Sequence, residues 1–253
     1  MIFQTVDISF IFESGTVYLS VSLTSSEVSR KYQRLSLLGQ ELVLVWRELL
    51  PEDVSKSSNL LTEEIQELQS FPTGSPKRFE FAASRQLIRN ISKINEPLLT
   101  DPSGKISWPS SVYGSLSHSQ GNYAWALSSE KRVGLDLEKL SRFHEKIERR
   151  ICNPSEQENI SHWTEKLKCS KSELLGIIFS LKEAAYKALV DSHQKDTGWK
   201  SLQIEKLDLA PSGPSKTRIR HLKHPSLEIE ASFQILLSPE GENYVLSLAT
   251  TKV

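Results

Sequence analysis

Residues 132–138 read Arg-Val-Gly-Leu-Asp-Leu-Glu, and the fold class follows from how this stretch is read. Apolar and polar residues alternate with the period of a half-buried strand, so Val133, Leu135 and Leu137 face one way and Gly134, Asp136 and Glu138 the other. On the second face two carboxylates stand about 7 Å apart along the strand, next to a glycine with no side chain to obstruct what approaches them. Such a pair can form one half of a magnesium site. The other half is expected at 179–187, where a helical pattern sets Glu183 and Lys187 one turn apart on one face.

The rest of the 253-residue chain is that of a globular protein long enough for one large domain or two ordinary ones. Lys plus Arg and Asp plus Glu both total 31, so no global field draws the molecule to nucleic acid or an anionic membrane. The first residues, Met1-Ile2-Phe3-Gln4, lack the basic segment of a secretory signal. No apolar run approaches the roughly 18 residues of a membrane span. Two cysteines, Cys152 and Cys169, fit free thiols in a cytoplasmic setting. Cys152, His162 and Cys169 contain no closely spaced ligand pair, which argues against structural zinc.

Outward from 132–138, the pattern predicts two strands between Thr5 and Leu23 around a turn at Glu13-Ser14-Gly15. A helix capped by Ser25-Ser26 is expected through Tyr32, Leu35, Leu38 and Val45 toward Pro51, with a break near Gly39. A short helix follows from Thr62 to about Gln69, and a longer one opens at Pro76. Its face of Phe79, Ala82, Ala83, Leu87 and Ile91 is apolar; Arg78, Arg85, Arg89 and Lys93 occupy the remainder. A solvated basic face is the commoner meaning of that pattern, and an anion site the alternative. Trp108 lies in a Pro- and Ser-rich loop, where it either folds onto the core or walls a pocket. Strands at 113–118 and 123–127 lead into 133–138, and three consecutive antiparallel strands would place His118 and Asp136 in one sheet. Helices are expected at 143–151, from Pro154 through Leu167, and at 170–190, the last apolar except for a seam of Gly176, Ser180, Glu183, Lys187 and Asp191. A closing meander occupies 202–249. Strands and helices of similar kind in each half suggest two related sub-domains.

Magnesium takes oxygen ligands, keeps waters, and is held by one or two carboxylates together with substrate phosphates. Asp136, Glu138 and Glu183 suit that donor set, and Lys187 suits a phosphate on the same ion. His118 and the 78–89 arginines could hold a further phosphate, so a pyrophosphate compound with extra charge is implied. Singly, each residue has an ordinary reading: solvated strand carboxylates, a helix ion pair worth about 0.2–0.5 kcal/mol, a hydrogen-bonded strand-end histidine. Their combination carries the case.

Three motifs in order give a family likeness: Gly114-Ser115-Leu116-Ser117-His118, Val133-Gly134-Leu135-Asp136-Leu137-Glu138, and Phe179-Ser180-Leu181-Lys182-Glu183-Ala184-Ala185-Tyr186-Lys187. The chain resembles the larger, pseudo-twofold class of 4'-phosphopantetheinyl transferases, the surfactin- and enterobactin-synthetase activators. Lys77-Arg78 through Arg85, and Trp108-Pro109, look more like the enterobactin type; the likeness spans roughly Pro76 to Val190. Gly104-Lys105-Ile106 departs from a usual Gly-Lys-Pro, and Ser84 from a usual Ala-Gly-Arg.

The resemblance implies an α+β fold of two similar sub-domains, each a small antiparallel sheet packed with helices, with boundaries expected at 1–128 (coenzyme A nucleotide side) and 129–253 (metal site). It implies transfer of the phosphopantetheine arm from coenzyme A to a serine of an apo carrier protein, releasing adenosine 3',5'-bisphosphate, in a cytoplasmic monomer. Carried over by position, Asp136, Glu138 and Glu183 become metal ligands, and Lys187 contacts the pyrophosphate. Ser117 and His118 lie against the nucleotide, and Arg85 with Arg78 holds the 3'-phosphate. Glu183, Asp136 and Lys187 are the expected catalytic groups, with Glu183 as base. The alternatives are a magnesium-dependent coenzyme A pyrophosphate hydrolase and a non-catalytic carrier-binding module.

Overall fold

The computed structural model describes residues 7–13, 16–22, 31–45, 59–102, 104–208 and 214–251. Among these residues the fold is α+β, with two antiparallel sheets. The first has the order β1-β2-β3-β4-β6-β5 and the second β7-β11-β10-β9-β8. The first comprises β1 (Asp7–Glu13), β2 (Thr16–Ser22), β3 (Lys31–Leu37), β4 (Gln40–Val45), β5 (Tyr113–Ser119) and β6 (Asn122–Ser128). The second comprises β7 (Arg132–Lys139), β8 (Leu202–Asp208), β9 (Ser215–His221), β10 (Glu228–Leu237) and β11 (Asn243–Thr251). The helices are α1 (Thr62–Gln69), α2 (Pro76–Ser92), α3 (Glu148–Ile151), α4 (Pro154–Leu167), α5 (Lys171–Ala188) and α6 (Asp191–Gln194).

Period-2 alternation produces the layering. Leu42 and Leu44 of β4, Ala124 and Ala126 of β6, Val133, Leu135 and Leu137 of β7, and Leu246 and Leu248 of β11 share one buried cluster between the sheets. The opposite faces of the same strands take helices. Val43, Val45, Tyr123 and Trp125 pack with Ala83, Leu87 and Ile88 of α2; Val245 and Ala249 pack with Leu174, Ile178, Leu181 and Ala185 of α5. The order across the molecule is α2, first sheet, second sheet, α5. Local signals start the helices where sequence chemistry demands. Ser75 accepts from the Arg78 N–H ahead of Pro76, and capping boxes of Asn153 with Glu156 and Ser170 with Glu173 open α4 and α5.

Three expectations are corrected. The helix predicted through Tyr32 and Val45 is the β3–β4 hairpin, whose turn at Leu38 (φ 52) and Gly39 (φ 74) has both residues at positive φ, matching strand twist. Its proposed cap at Ser25-Ser26 and its end near Pro51 lie outside the described residues, as do the expected turn residues Ser14 and Gly15. The helix expected at 143–151 is broken into turns at Leu140–Arg142 and Glu145–Ile147 followed by the four-residue α3.

The third correction bears on the site. β7 does not extend the β5–β6 sheet but opens the second one, pairing with β11. Its other edge meets β5 through side chains: the Ser115 hydroxyl accepts from the Leu135 N–H at 2.8 Å and the Ser119 hydroxyl from the Lys139 N–H at 3.3 Å. Alternate serines of β5 thus stand in for a backbone ladder and join the two sheets.

Candidate active site

The glycine of the β7 motif has a packing role different from the one expected. A Cβ on Gly134 would lie 1.9 Å from the Ala184 carbonyl oxygen and 2.4 Å from the Ala188 nitrogen, so its missing side chain admits the backbone of α5. Gly176, in the first half of α5, leaves room instead for the side chains of Leu140 and Phe143, which a Cβ would meet at 2.8 Å. The Gly134 contact brings the polar seam of α5 down onto β7. In the seam, Ser180 donates to the Ser247 hydroxyl at 2.9 Å, and Glu183 and Lys187 follow.

Lys187 Nζ donates to Asp136 Oδ1 at 2.8 Å, to the Leu135 carbonyl at 3.0 Å and to Ser117 Oγ at 3.3 Å, joining α5, β7 and β5 at one ammonium. The Ser117 hydroxyl donates to Asp136 Oδ1 at 3.1 Å. Glu138 Oε2 accepts from Arg142 Nη1 at 2.6 Å and from Ser119 Oγ at 3.4 Å. Burial and the Asp136 charge push the Glu138 carboxyl up to about 7, against the pull of Arg142 and Lys187. Glu183 is also raised to about 7, again by burial and then Asp136, with Lys187 and Arg142 opposing. Both carboxyls are thus raised first by burial and second by the neighbouring charge of Asp136.

Among the described residues, no three His, Cys, Asp or Glu side chains are drawn together closely enough to hold a metal as they stand. Lys187 and Arg142 occupy two of the carboxylates instead. The fit to a divalent cation is nonetheless supported by one atom: Asp136 Oδ2 is buried and has no hydrogen-bond partner, an arrangement that costs about 1–3 kcal/mol or more for a charged group. Asp136, Glu138 and Glu183 are all oxygen donors of the kind magnesium takes.

Other expected site residues lie elsewhere. His118 alternates with Ser117 on β5, facing Tyr123 at a ring separation of 5.9 Å, with Nδ1 3.9 Å from Glu80 of α2. Arg85 is buried: its Nε donates to the Leu98 carbonyl at 2.9 Å, its Nη1 to Ser84 and its Nη2 to Thr100. Burial lowers its guanidinium to about 10. Arg78 donates to the carbonyls of Leu68 and Phe71 at 2.6 and 3.1 Å. Trp108 folds onto the core, where a Cβ on Gly114 would strike its ring at 2.2 Å. Sequence reasoning missed Arg142, whose only signal was its place four residues after Glu138. It also missed the buried pair of Lys182 and Glu156, joined at 2.6 Å, in which Lys182 also donates to the Ile151 and Trp199 carbonyls.

The cluster of Asp136, Glu138, Glu183 and Lys187 falls inside one comparison. Residues 132–249 match the family model of the 4'-phosphopantetheinyl transferase superfamily. Enterobactin synthase component D of Escherichia coli (strain K12) is similar as well, 33% identical over 99 residues that cover 38% of this chain and 45% of that protein. The chain therefore spans less than half the length of that relative. The superfamily match contains β7 and α5 entire.

Proposed function

We propose that the protein transfers the 4'-phosphopantetheine arm of coenzyme A to a serine of an apo carrier protein, with magnesium as cofactor and adenosine 3',5'-bisphosphate as the second product. The observation that carries this reading is the buried, unpartnered Asp136 Oδ2, whose sister oxygen is held by Lys187, within the superfamily match.

Asp136, Glu138 and Glu183 would hold the metal, which when bound supplies charge neutralisation on the pyrophosphate. Lys187 binds the same anion and stabilises charge developing on the departing bisphosphate oxygen. In the reaction the carrier serine oxygen bonds to the phosphorus bearing the pantetheine arm, and the bond from that phosphorus to the bisphosphate oxygen breaks. Glu183, held near neutral pH by its surroundings, accepts the serine proton directly or through water. Positioning and charge supply most of such catalysis, so the base is the least demanding part. Ser117 orients Asp136 and Lys187 through its hydroxyl.

For the nucleotide the reading assigns His118 to the base or ribose and Arg78 with Arg85 to the 3'-phosphate, on the family resemblance. Buried Arg85 reaches that phosphate only by exchanging existing partners. The same reading carries a cytoplasmic monomer with halves 1–128 and 129–253. Among the described residues no helix is long and apolar enough to cross a membrane.

Incubation with magnesium, coenzyme A and a panel of apo acyl, peptidyl and aryl carriers tests the proposal. Transfer predicts a mass gain of about 340 Da on a carrier, the mass of the arm. Bisphosphate released with no carrier modified would instead indicate a pyrophosphate hydrolase, and carrier binding with neither product a binding module.

A further inference from the structure

We propose that Arg142 is a resident counter-cation of this site, holding Glu138 until a divalent ion displaces it and then turning to the anionic co-substrate. The inference rests on the proposed carboxylate metal site and adds to it a residue that couples metal binding to coenzyme A binding.

The geometry supports each half. Arg142 Nη1 lies 2.6 Å from Glu138 Oε2, and the side chains are 49% and 9% exposed. The carboxylate is therefore held inside while the guanidinium is half exposed, its carbon 5.4 Å from the centroid of the Phe143 ring, so that it can turn toward solvent without opening the core. Its backbone is anchored, because neighbouring Leu140 is buried between α5 and the second sheet. A guanidinium cannot give up its charge by losing a proton. To free Glu138 Oε2 for a metal it must leave, and the hydrogen bond it vacates is of the strong, charge-assisted kind. The carboxylates of this site face two cations among the described residues, Lys187 on Asp136 and Arg142 on Glu138. A divalent ion adds two positive charges to this group and so favours an anion beside it. A guanidinium released a few ångströms away is then placed for bidentate contact with phosphate. Metal and coenzyme A each raise the affinity for the other, and by the same factor.

The competing explanation is an ordinary surface ion pair, of little worth and without consequence for the metal. Lys139 provides a control of equal charge. It follows Glu138 directly, but its ammonium is engaged with Glu242 at 3.2 Å.

The test is calorimetric titration of the full chain with manganese chloride alone, then with coenzyme A at saturating manganese, for wild type, Arg142→Gln and Lys139→Gln. The expected result is crossed: Arg142→Gln binds manganese roughly tenfold tighter without coenzyme A, and binds coenzyme A roughly tenfold weaker with manganese present. Lys139→Gln shifts both by less than about twofold. Equal manganese affinity in wild type and Arg142→Gln, or an equal gain in Lys139→Gln, overturns the role of Arg142 and leaves the carboxylate site standing. Tighter binding of both ligands by Arg142→Gln overturns the anion-binding half. Manganese that binds none of the three proteins overturns the metal site itself.

Discussion

Lys187 Nζ stands 2.8 Å from Asp136 Oδ1, so the last turns of α5 and the middle of β7 are joined by charge directly over the close approach that Gly134 permits. The two contacts are one device. With a Cβ at position 134 the helix would stand off the strand, and the ammonium would no longer reach the carboxylate.

Gly134→Ala is accordingly expected to lower stability by about 1–3 kcal/mol through overpacking against backbone that cannot rotate aside, and to cost more activity than stability. Thermal unfolding together with the transfer assay checks this. An alanine variant with unchanged Tm and unchanged activity would mean that α5 and β7 have slack between them.

The period-2 run at 132–138 and the 3.6-period apolar stripe of α5 were legible because each is buried on a definite face, and burial is what periodicity reports. The β3–β4 hairpin was not. Leu35, Leu38 and Val45 recur at spacings a helix also uses, and Leu38-Gly39 is a weaker turn signal than Asn-Gly. Nor was the parting of β7 from β5 legible, since it depends on serine hydroxyls meeting backbone N–H groups across sheets. Of the site, the alternation of Asp136 with Glu138 and the seam of Glu183 with Lys187 could be read as local facts. The partners of Arg85 and Arg142 are tertiary facts.

Arg85→Ala tests one such case. Its guanidinium serves the Leu98 carbonyl and the Ser84 and Thr100 hydroxyls inside the first half of the chain. Removing it leaves a buried carbonyl unpaired, and a stability loss of about 1–3 kcal/mol is expected in denaturant unfolding. A raised KM for coenzyme A with no change in stability would place the guanidinium on the ligand instead.

Lys182 and Glu156 lie back to back with the site, both side chains fully buried. Glu156 also accepts from the Ile204 and Asn153 N–H groups, so the pair ties α5 to α4 and β8. Lys182→Met alone strands a buried carboxylate and is expected to cost about 3–5 kcal/mol. Adding Glu156→Gln should recover a measurable part of that loss. No recovery in the double variant would show that the two side chains are energetically independent.

A pH effect is expected around His221. Its Nδ1 accepts from the Lys223 and His224 N–H groups, which requires an unprotonated nitrogen, and its Nε2 lies 2.7 Å from Thr197 Oγ1. Burial lowers its pKa, helped by His224, His193 and Lys223 and opposed by Asp196. A depressed pKa contributes stability that is present above the unfolded value near 6.5 and lost as pH falls through the folded value. The Tm should therefore decline with acidification below about pH 6.5, and His221→Asn, which keeps an acceptor without the titration, should flatten that decline. An identical pH profile in the variant would assign the acid sensitivity to other groups.

If Asp136 belongs to a metal-dependent transfer site, an apo carrier protein incubated with magnesium, coenzyme A and wild type gains about 340 Da in intact mass, and with Asp136→Ala, the variant remaining folded, it stays unmodified. Full modification by Asp136→Ala would contradict that assignment.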